Sequence, residues 1–292
     1  MLDQIIDRLA DPADLSALHL TDNDTGTGHV LVSDSGHTYD VARQGYVSLF
    51  AGGRSKHPGD TPEMIRARET FLAGGQFAPF VEAVTRTVQA ALSVGPTPTD
   101  EDVAILDVGA GTGYYLAHTL DSVNRSVGIA MDISTAAAKR LAGAHPNLGA
   151  IVADAWKQFP VATASVDVVT SAFAPRNPEE FARVLKPGGR VVILSADPGH
   201  LIELREPLGI LDVKKGKVDE IIAHAAGYLH PVGTSELVTF TMDLDRQSIH
   251  AQVGMSPSAH HIPAEELARR VATLPEEMTI TARAMVTVLE KS

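Results

Sequence analysis

The stretch Val103-Ala104-Ile105-Leu106-Asp107-Val108-Gly109-Ala110-Gly111-Thr112-Gly113-Tyr114-Tyr115 is an apolar run that breaks into three glycines at alternate positions and then resumes with residues a helix accepts. It reads as strand, tight turn and helix. Glycines supply the backbone angles such a turn needs and let a ligand approach the main chain, while the helix that follows presents unpaired N–H groups. The same pattern also serves as a plain strand-to-helix connection, so the residues downstream decide between the two.

Those residues favour a ligand. Gly128-Ile129-Ala130-Met131-Asp132-Ile133-Ser134 is a second short apolar run, ending in an acid roughly 20 residues past the turn, where a doubly wound fold places its ribose-gripping carboxylate. Asp132 also fits the N-cap of the next helix, but Ser134 can cap equally well and leave Asp132 for hydroxyls. A third run, Ile151-Val152-Ala153-Asp154-Ala155-Trp156, again ends in a carboxylate. Val166 to Phe173 follows as a fourth strand, and Leu185-Lys186-Pro187-Gly188-Gly189 precedes a fifth. A nicotinamide-binding fingerprint fits less well, because its third glycine would fall on Tyr114.

This order of motifs resembles the class I S-adenosylmethionine-dependent methyltransferases. The resemblance implies an α/β, Rossmann-like fold with a mostly parallel seven-stranded sheet, S-adenosylmethionine as cofactor and S-adenosylhomocysteine as product. It places Gly109, Gly111 and Thr112 against the methionine part, Asp132 on the ribose, and Asp154 with Ala155 at the adenine; Asp107 and Ile133 complete the cofactor set.

At 292 residues with 44% hydrophobic content, the chain can bury one large core and still carry an accessory piece. The expected organisation is a small β-rich module over 1–55, a helical connector over 56–100 and the methyltransferase domain over 101–292. No apolar run approaches the roughly 20 residues that span a bilayer, and Met1-Leu2-Asp3-Gln4 lacks a signal peptide's basic flank, so a cytoplasmic protein without a membrane partner is expected. A homodimer is one assembly such a chain can form. The absence of cysteine excludes disulfides, thiolate zinc sites and cysteine nucleophiles. The net charge of −12 argues against indiscriminate binding of polyanions while leaving room for a local basic patch.

A narrower resemblance runs over nearly the whole chain. His37-Thr38-Tyr39-Asp40-Val41-Ala42-Arg43-Gln44-Gly45-Tyr46-Val47-Ser48-Leu49, then Pro58-Gly59-Asp60-Thr61-Pro62-Glu63-Met64-Ile65-Arg66-Ala67-Arg68-Glu69-Thr70-Phe71-Leu72, are similar to the 23S rRNA (guanine-N1-)-methyltransferase family. So are Phe173-Ala174-Pro175, His200-Leu201-Ile202-Glu203-Leu204 and Met255-Ser256-Pro257. The resemblance implies a guanine in a 23S rRNA hairpin loop as substrate, and adds Phe77 and His200 to the cofactor pocket. It also implies an N-terminal zinc site of paired cysteines, but the position four before His37 is Ser33 and the chain has no cysteine. One imidazole cannot replace four ligands, so the N-terminal module is expected to be metal-free. His260-His261 lacks further ligands at useful spacing and reads as surface or substrate loop.

The segment after Gly59 reads as a helix with Asp60 as N-cap, Glu63 completing a capping box and Pro62 in the first turn. Arg43, Arg54, Lys56, Arg66 and Arg68 are basic in an otherwise acidic third of the chain, as an RNA-docking cluster or as an ordinary solvated helix face. Methylation of guanine N1 requires loss of its proton, for which Asp60, Asp197 and Glu203 are candidate bases. Phe173, Ala174 and Pro175 are the candidate platform for the base, although Phe173 also suits the core. Two other functions fit the same sequence: methylation of a small molecule, and a non-catalytic S-adenosylmethionine-binding protein associated with ribosomes.

Overall fold

The computed structural model describes residues 2–23, 28–50, 59–94 and 101–292. The chain begins with two short 3-10 turns, Leu2–Gln4 and Ile6–Arg8. An antiparallel three-stranded sheet follows, made of β1 (Leu18–Asp22), β2 (His29–Ser33) and β3 (Thr38–Asp40), and then β4 (Val47–Ser48). Helices α1 (Pro62–Ala73) and α2 (Ala78–Val94) lead to β5 (Val103–Val108), α3 (Tyr114–Ser122), β6 (Ser126–Asp132), α4 (Thr135–Leu141) and β7 (Leu148–Val152). The core continues through β8 (Val166–Ala172), α5 (Pro178–Val184), β9 (Leu185–Ala196), α6 (Ile202–Leu208) and α7 (Lys217–Ala225). It closes with β10 (Leu229–Pro231), β11 (Glu236–Asp245), α8 (Arg246–Gly254), α9 (Ala264–Ala272) and β12 (Glu277–Lys291).

Among the described residues the large sheet has nine strands in the order β10-β12-β9-β8-β5-β6-β7-β4, with β11 also paired to β12. Seven of them form the expected Rossmann-like sheet, parallel from β7 to β9 and antiparallel at β12 and β11. The other two are short additions: β10 beside β12, and β4 parallel to β7, which takes Val47 and Ser48 out of the small N-terminal sheet. The run Lys186–Gly189 lies within β9 as a bulge opposite Asp167, since β8 pairs Val166 with Leu185 and Val168 with Arg190. β5 has β6 on one side and β8 on the other. The strand order therefore reverses at β5, and the crevice beyond its carboxyl end is where such sheets bind ligands.

β5 and β6 are almost continuously buried because both sheet faces are covered. Alternate side chains of β5 feed two cores. Ile105 packs with α1, α2, α3, α4, α8 and α9, whereas Ala104, Leu106 and Val108 pack with α5, α7 and the N-terminal segment. Leu2, Ile5, Leu9, Leu18 and Leu31 thus cover part of the second face, and backbone bonds from Ala10 to Pro160 and from Ala162 to Arg8 fasten the segment there.

The N-terminal sheet is knitted around a fully buried carboxylate, Asp11. Its Oδ1 accepts from the Ala13 N–H and the Tyr39 hydroxyl, both at 2.8 Å, and its Oδ2 lies 2.9 Å from His37 Nδ1, which carries the proton when the carboxylate is ionised. Ser33 Oγ accepts from the His37 N–H at 2.9 Å. Burial pushes the Asp11 carboxyl up, but donors from Ala13, Ser33, Tyr39 and His37 outweigh it and hold the group below the usual carboxylate range. The residues at the family's metal position, Ser33 and His37, are thereby tied into a hydrogen-bonded cluster. Asp11→Ala would leave several of these donors unpaired and should cost about 2–3 kcal/mol of folding stability, measured by urea denaturation; a loss below about 0.5 kcal/mol would show that the cluster does not hold the module.

Candidate active site

The turn after β5 has left-handed backbone at Gly109, Gly111 and Gly113, with φ of +73°, +58° and +81°. A Cβ on Gly109 would lie 2.5 Å from the Ala174 methyl, and one on Gly111 would lie 3.3 Å from Arg68 Cδ. The turn is therefore pressed between the loop after β8 and a side chain from α1. No larger residue fits at Gly109.

Asp132 ends β6 with Oδ2 accepting the Gly111 N–H and Oδ1 accepting the Ser134 N–H, each at 2.8 Å. Ser134 caps α4, its Oγ accepting from the Ala137 N–H at 3.2 Å, so the N-cap role falls to Ser134 and Asp132 faces the turn. Burial pushes Asp132 up to about 6, against the two backbone donors, with the nearby Asp60 charge adding to the rise. Asp107 at the end of β5 is fully buried and accepts from Thr170 Oγ1 at 2.7 Å; burial pushes it up to about 7, the Thr170 bond opposing and the Asp132 charge adding. Asp154 is buried after β7 and accepts from the Trp156 N–H at 3.0 Å, with Ala155 buried beside it. Thr112 and Ile133 are half-buried next to the turn and Asp132 respectively.

Four rings from three parts of the chain meet at the same end of the sheet. Phe173 and His200 stack with centroids 5.9 Å apart and planes 23° from parallel, and Phe77 lies 6.2 Å from Phe173 and 6.1 Å from His200. Phe80 packs edge-on against Phe77 and Phe173. Phe77 and Phe80 are buried, whereas Phe173 is 38% exposed, which favours the platform reading over the core reading. Phe173 and Leu201 both hold positive φ, +54° and +55°, a strained backbone for non-glycine residues and one that clusters at functional sites. Ala174 touches the glycine turn and Pro175 is exposed. Burial pushes His200 down to about 4, with the Arg205 and Lys217 charges adding, so its imidazole is neutral near pH 7. Its Nδ1 accepts from the Arg283 N–H at 3.1 Å, which leaves the proton on Nε2.

The three candidate bases differ in their surroundings. Asp60 is not the N-cap of α1. Thr61 is, its hydroxyl accepting from the Met64 N–H at 3.3 Å, while Asp60 pairs with Arg68 at 2.6 Å. The cap moves one residue because Pro62 takes the first helical position. Glu203 accepts from the Thr281 N–H at 3.0 Å and the Thr281 hydroxyl at 2.5 Å; burial would raise its pKa, but these bonds hold it below the usual range, so it joins α6 to β12 and is a poor base. Asp197 accepts from Arg283 Nε at 2.9 Å, three residues before His200.

The basic cluster does not form one surface. Arg43 is exposed, and Arg66 is exposed and paired with Glu63 at 2.7 Å. Arg54 and Lys56 lie outside the described residues. Arg68 points inward: besides Asp60, its Nη2 donates to the Met255 carbonyl at 3.0 Å, and its stem covers Gly111. Charge against an acidic background grouped Arg68 with Arg66, but packing of α1 on α8 turns Arg68 into the crevice. Arg68 Nε and the Tyr115 hydroxyl are buried without hydrogen-bond partners among the described residues. These two donors close to the glycine turn fit a polar ligand such as the amino-acid part of S-adenosylmethionine.

Residues 105–189 match the family described as "Methyltransferase domain". Over the chain as a whole, a Streptomyces fradiae protein, 23S rRNA (guanine(748)-N(1))-methyltransferase, is 36% identical across 87% of this chain and 89% of its own. A Micromonospora griseorubida protein, provisionally assigned as a 23S rRNA (guanine-N(1)-)-methyltransferase, is 42% identical across 89% and 90%. A SAM-dependent methyltransferase structure from Aquifex aeolicus aligns with TM-score 0.47 and 14% identity over 80% of this chain and 99% of that one.

Ribose hydroxyls donate best to an ionised carboxylate. Since Asp132 sits near 6, calorimetric affinity for S-adenosylmethionine should fall as pH is lowered from 7.5 to 5. Asp132→Ala should weaken binding by roughly 1.5–3 kcal/mol at pH 7.5 and flatten that pH dependence. Equal affinity for a folded variant would remove Asp132 from the site.

Proposed function

Because the chain belongs to the 23S rRNA (guanine-N1-)-methyltransferase family, we propose that it methylates N1 of a guanine in a hairpin loop of 23S rRNA. The observation that carries this reading is the half-exposed Phe173, stacked on His200 in the loop that touches the glycine turn, so that a platform for a flat base adjoins the cofactor crevice. S-adenosylmethionine, when bound, supplies a methyl group activated as a sulfonium, which guanine N1 takes as its proton leaves, with S-adenosylhomocysteine as product.

The protein's task is then positioning and proton removal. Arg68 meets the methionine carboxylate, Gly109, Gly111 and Thr112 give it main-chain room, Asp132 with Ile133 takes the ribose, and Asp154 with Ala155 the adenine. Phe77 backs the aromatic wall. A guanine splayed from its loop stacks on Phe173 between Ala174 and Pro175. The neutral His200 offers Nε2–H to the guanine carbonyl, where negative charge gathers as the N1 proton departs. Asp197, close to His200 and bonded to Arg283, is the carboxylate best placed to receive that proton. Arg43 and Arg66, on the exposed side of the N-terminal third, are left for RNA phosphates. The absence of zinc-binding cysteines extends the reading to a metal-free N-terminal module.

Purified protein should transfer label from methyl-labelled S-adenosylmethionine to 23S rRNA hairpin transcripts, recovered as 1-methylguanosine. Phe173→Ala should lower kcat/KM for RNA about 5- to 150-fold, the worth of one base–aromatic stack. Labelling of small molecules with none in RNA would replace this reading by small-molecule methylation. Elemental analysis should find far less than one zinc per chain, and a chelator should leave the Tm unmoved; stoichiometric zinc would overturn the metal-free module.

A further inference from the structure

A cavity of about 420 Å³, walled mainly by apolar side chains, opens on the far side of the Phe173 loop, between that loop, α5 and α7. Arg176, one residue beyond Pro175, and Lys217, the first residue of α7, both line it. Neither is in an ion pair among the described residues. Arg176 Nε is buried and unpartnered, while Glu220 on the same wall is engaged by Lys214. Burial holds both cations below their usual pKa, and the Arg176 charge adds to the effect on Lys217. Two neighbouring, partly buried positive charges repel and lose hydration, a cost that a bound anion offsets.

The cavity's position says which anion. Arg176 continues the platform segment Phe173-Ala174-Pro175, and the Lys217 charge reaches His200, the ring stacked on Phe173. A nucleotide lying on Phe173 would bring its flanking backbone towards Arg176 and Lys217. Trp156, 53% exposed, forms another part of the wall and offers a flat face to a neighbouring base. We propose that Arg176 and Lys217 form a phosphodiester subsite that grips the RNA backbone next to the target nucleotide. This rests on the RNA reading above, and it moves the principal phosphate contacts from the N-terminal arginines to the loop after β8 and the start of α7.

Trp156 is the chain's single tryptophan, so its fluorescence reports on this cavity. Titration with a hairpin transcript of 23S rRNA should change its emission. Lys217→Gln and Arg176→Gln should each weaken RNA binding several-fold and reduce the log–log salt slope by about 0.7, while Lys217→Arg restores both and S-adenosylmethionine affinity stays at the wild-type value. Wild-type affinity and slope in both folded glutamine variants would overturn the subsite. Inorganic phosphate saturating the Trp156 response as tightly as the RNA would also overturn it, in favour of a free-phosphate site. Methyl transfer measured in parallel separates the two readings. Lys217-dependent RNA binding without label transfer sinks the methylation proposal and keeps the subsite; label transfer with unchanged salt slopes does the reverse.

Discussion

The bond from the Gly111 N–H to Asp132 Oδ2 is the contact on which the site depends. It ties the turn after β5 to the end of β6, two adjacent strands on one side of the point where strand order reverses. With Asp132 also accepting from the Ser134 N–H, the glycine turn and the start of α4 are fixed by one carboxylate. Asp107, Asp132 and Asp60 then stand close together, with Arg68 as the nearby cation. Burial raises the carboxyls of Asp107 and Asp132 above the usual carboxylate range, so the crevice suits a ligand that brings positive charge and hydroxyl donors.

Around that bond, three distant segments are drawn in by close packing. The missing Cβ at Gly109 admits Ala174, and the left-handed turn at Gly111 admits the stem of Arg68. Arg68 is in turn held by the carbonyl of Met255, which explains physically why a Met-Ser-Pro segment near the end of the chain belongs with the N-terminal helix motif. The N-terminal module is fastened differently. It buries Leu2, Ile5 and Leu9 against the sheet and is cross-linked by the Asp11 cluster, whose buried carboxylate satisfies donors from several positions at once.

The strands, the turn and the acids Asp132 and Asp154 were legible because each rests on a local pattern: apolar runs, alternate glycines and a carboxylate at a strand end. Capping was legible in part. Ser134 caps α4 as its spacing allows, but the cap of α1 fell on Thr61 because Pro62 shifts the helix start. The partners of Glu203, Asp197 and Asp60 were not legible, since each lies on a different element, and pairing across elements decides whether a carboxylate is available as a base. The sequence did hold one unused sign, Arg176 directly after Phe173-Ala174-Pro175; nothing local pointed to Lys217.

By itself, then, the sequence determined the α/β class, the order of its motifs, the cofactor type and the lack of any cysteine ligand, because these depend on residue identity and short-range periodicity. Tertiary structure decided which charges face the crevice and which face solvent. Arg66 and Arg68 are two residues apart on one helix, yet one lies exposed and the other covers Gly111, because α1 packs on α8 along the face that carries Arg68. It also brought Phe77 against Phe173 and His200, which lie about a hundred residues further along the chain, a convergence that follows from the packing of α2 on β8 and β9 and leaves no trace in local sequence.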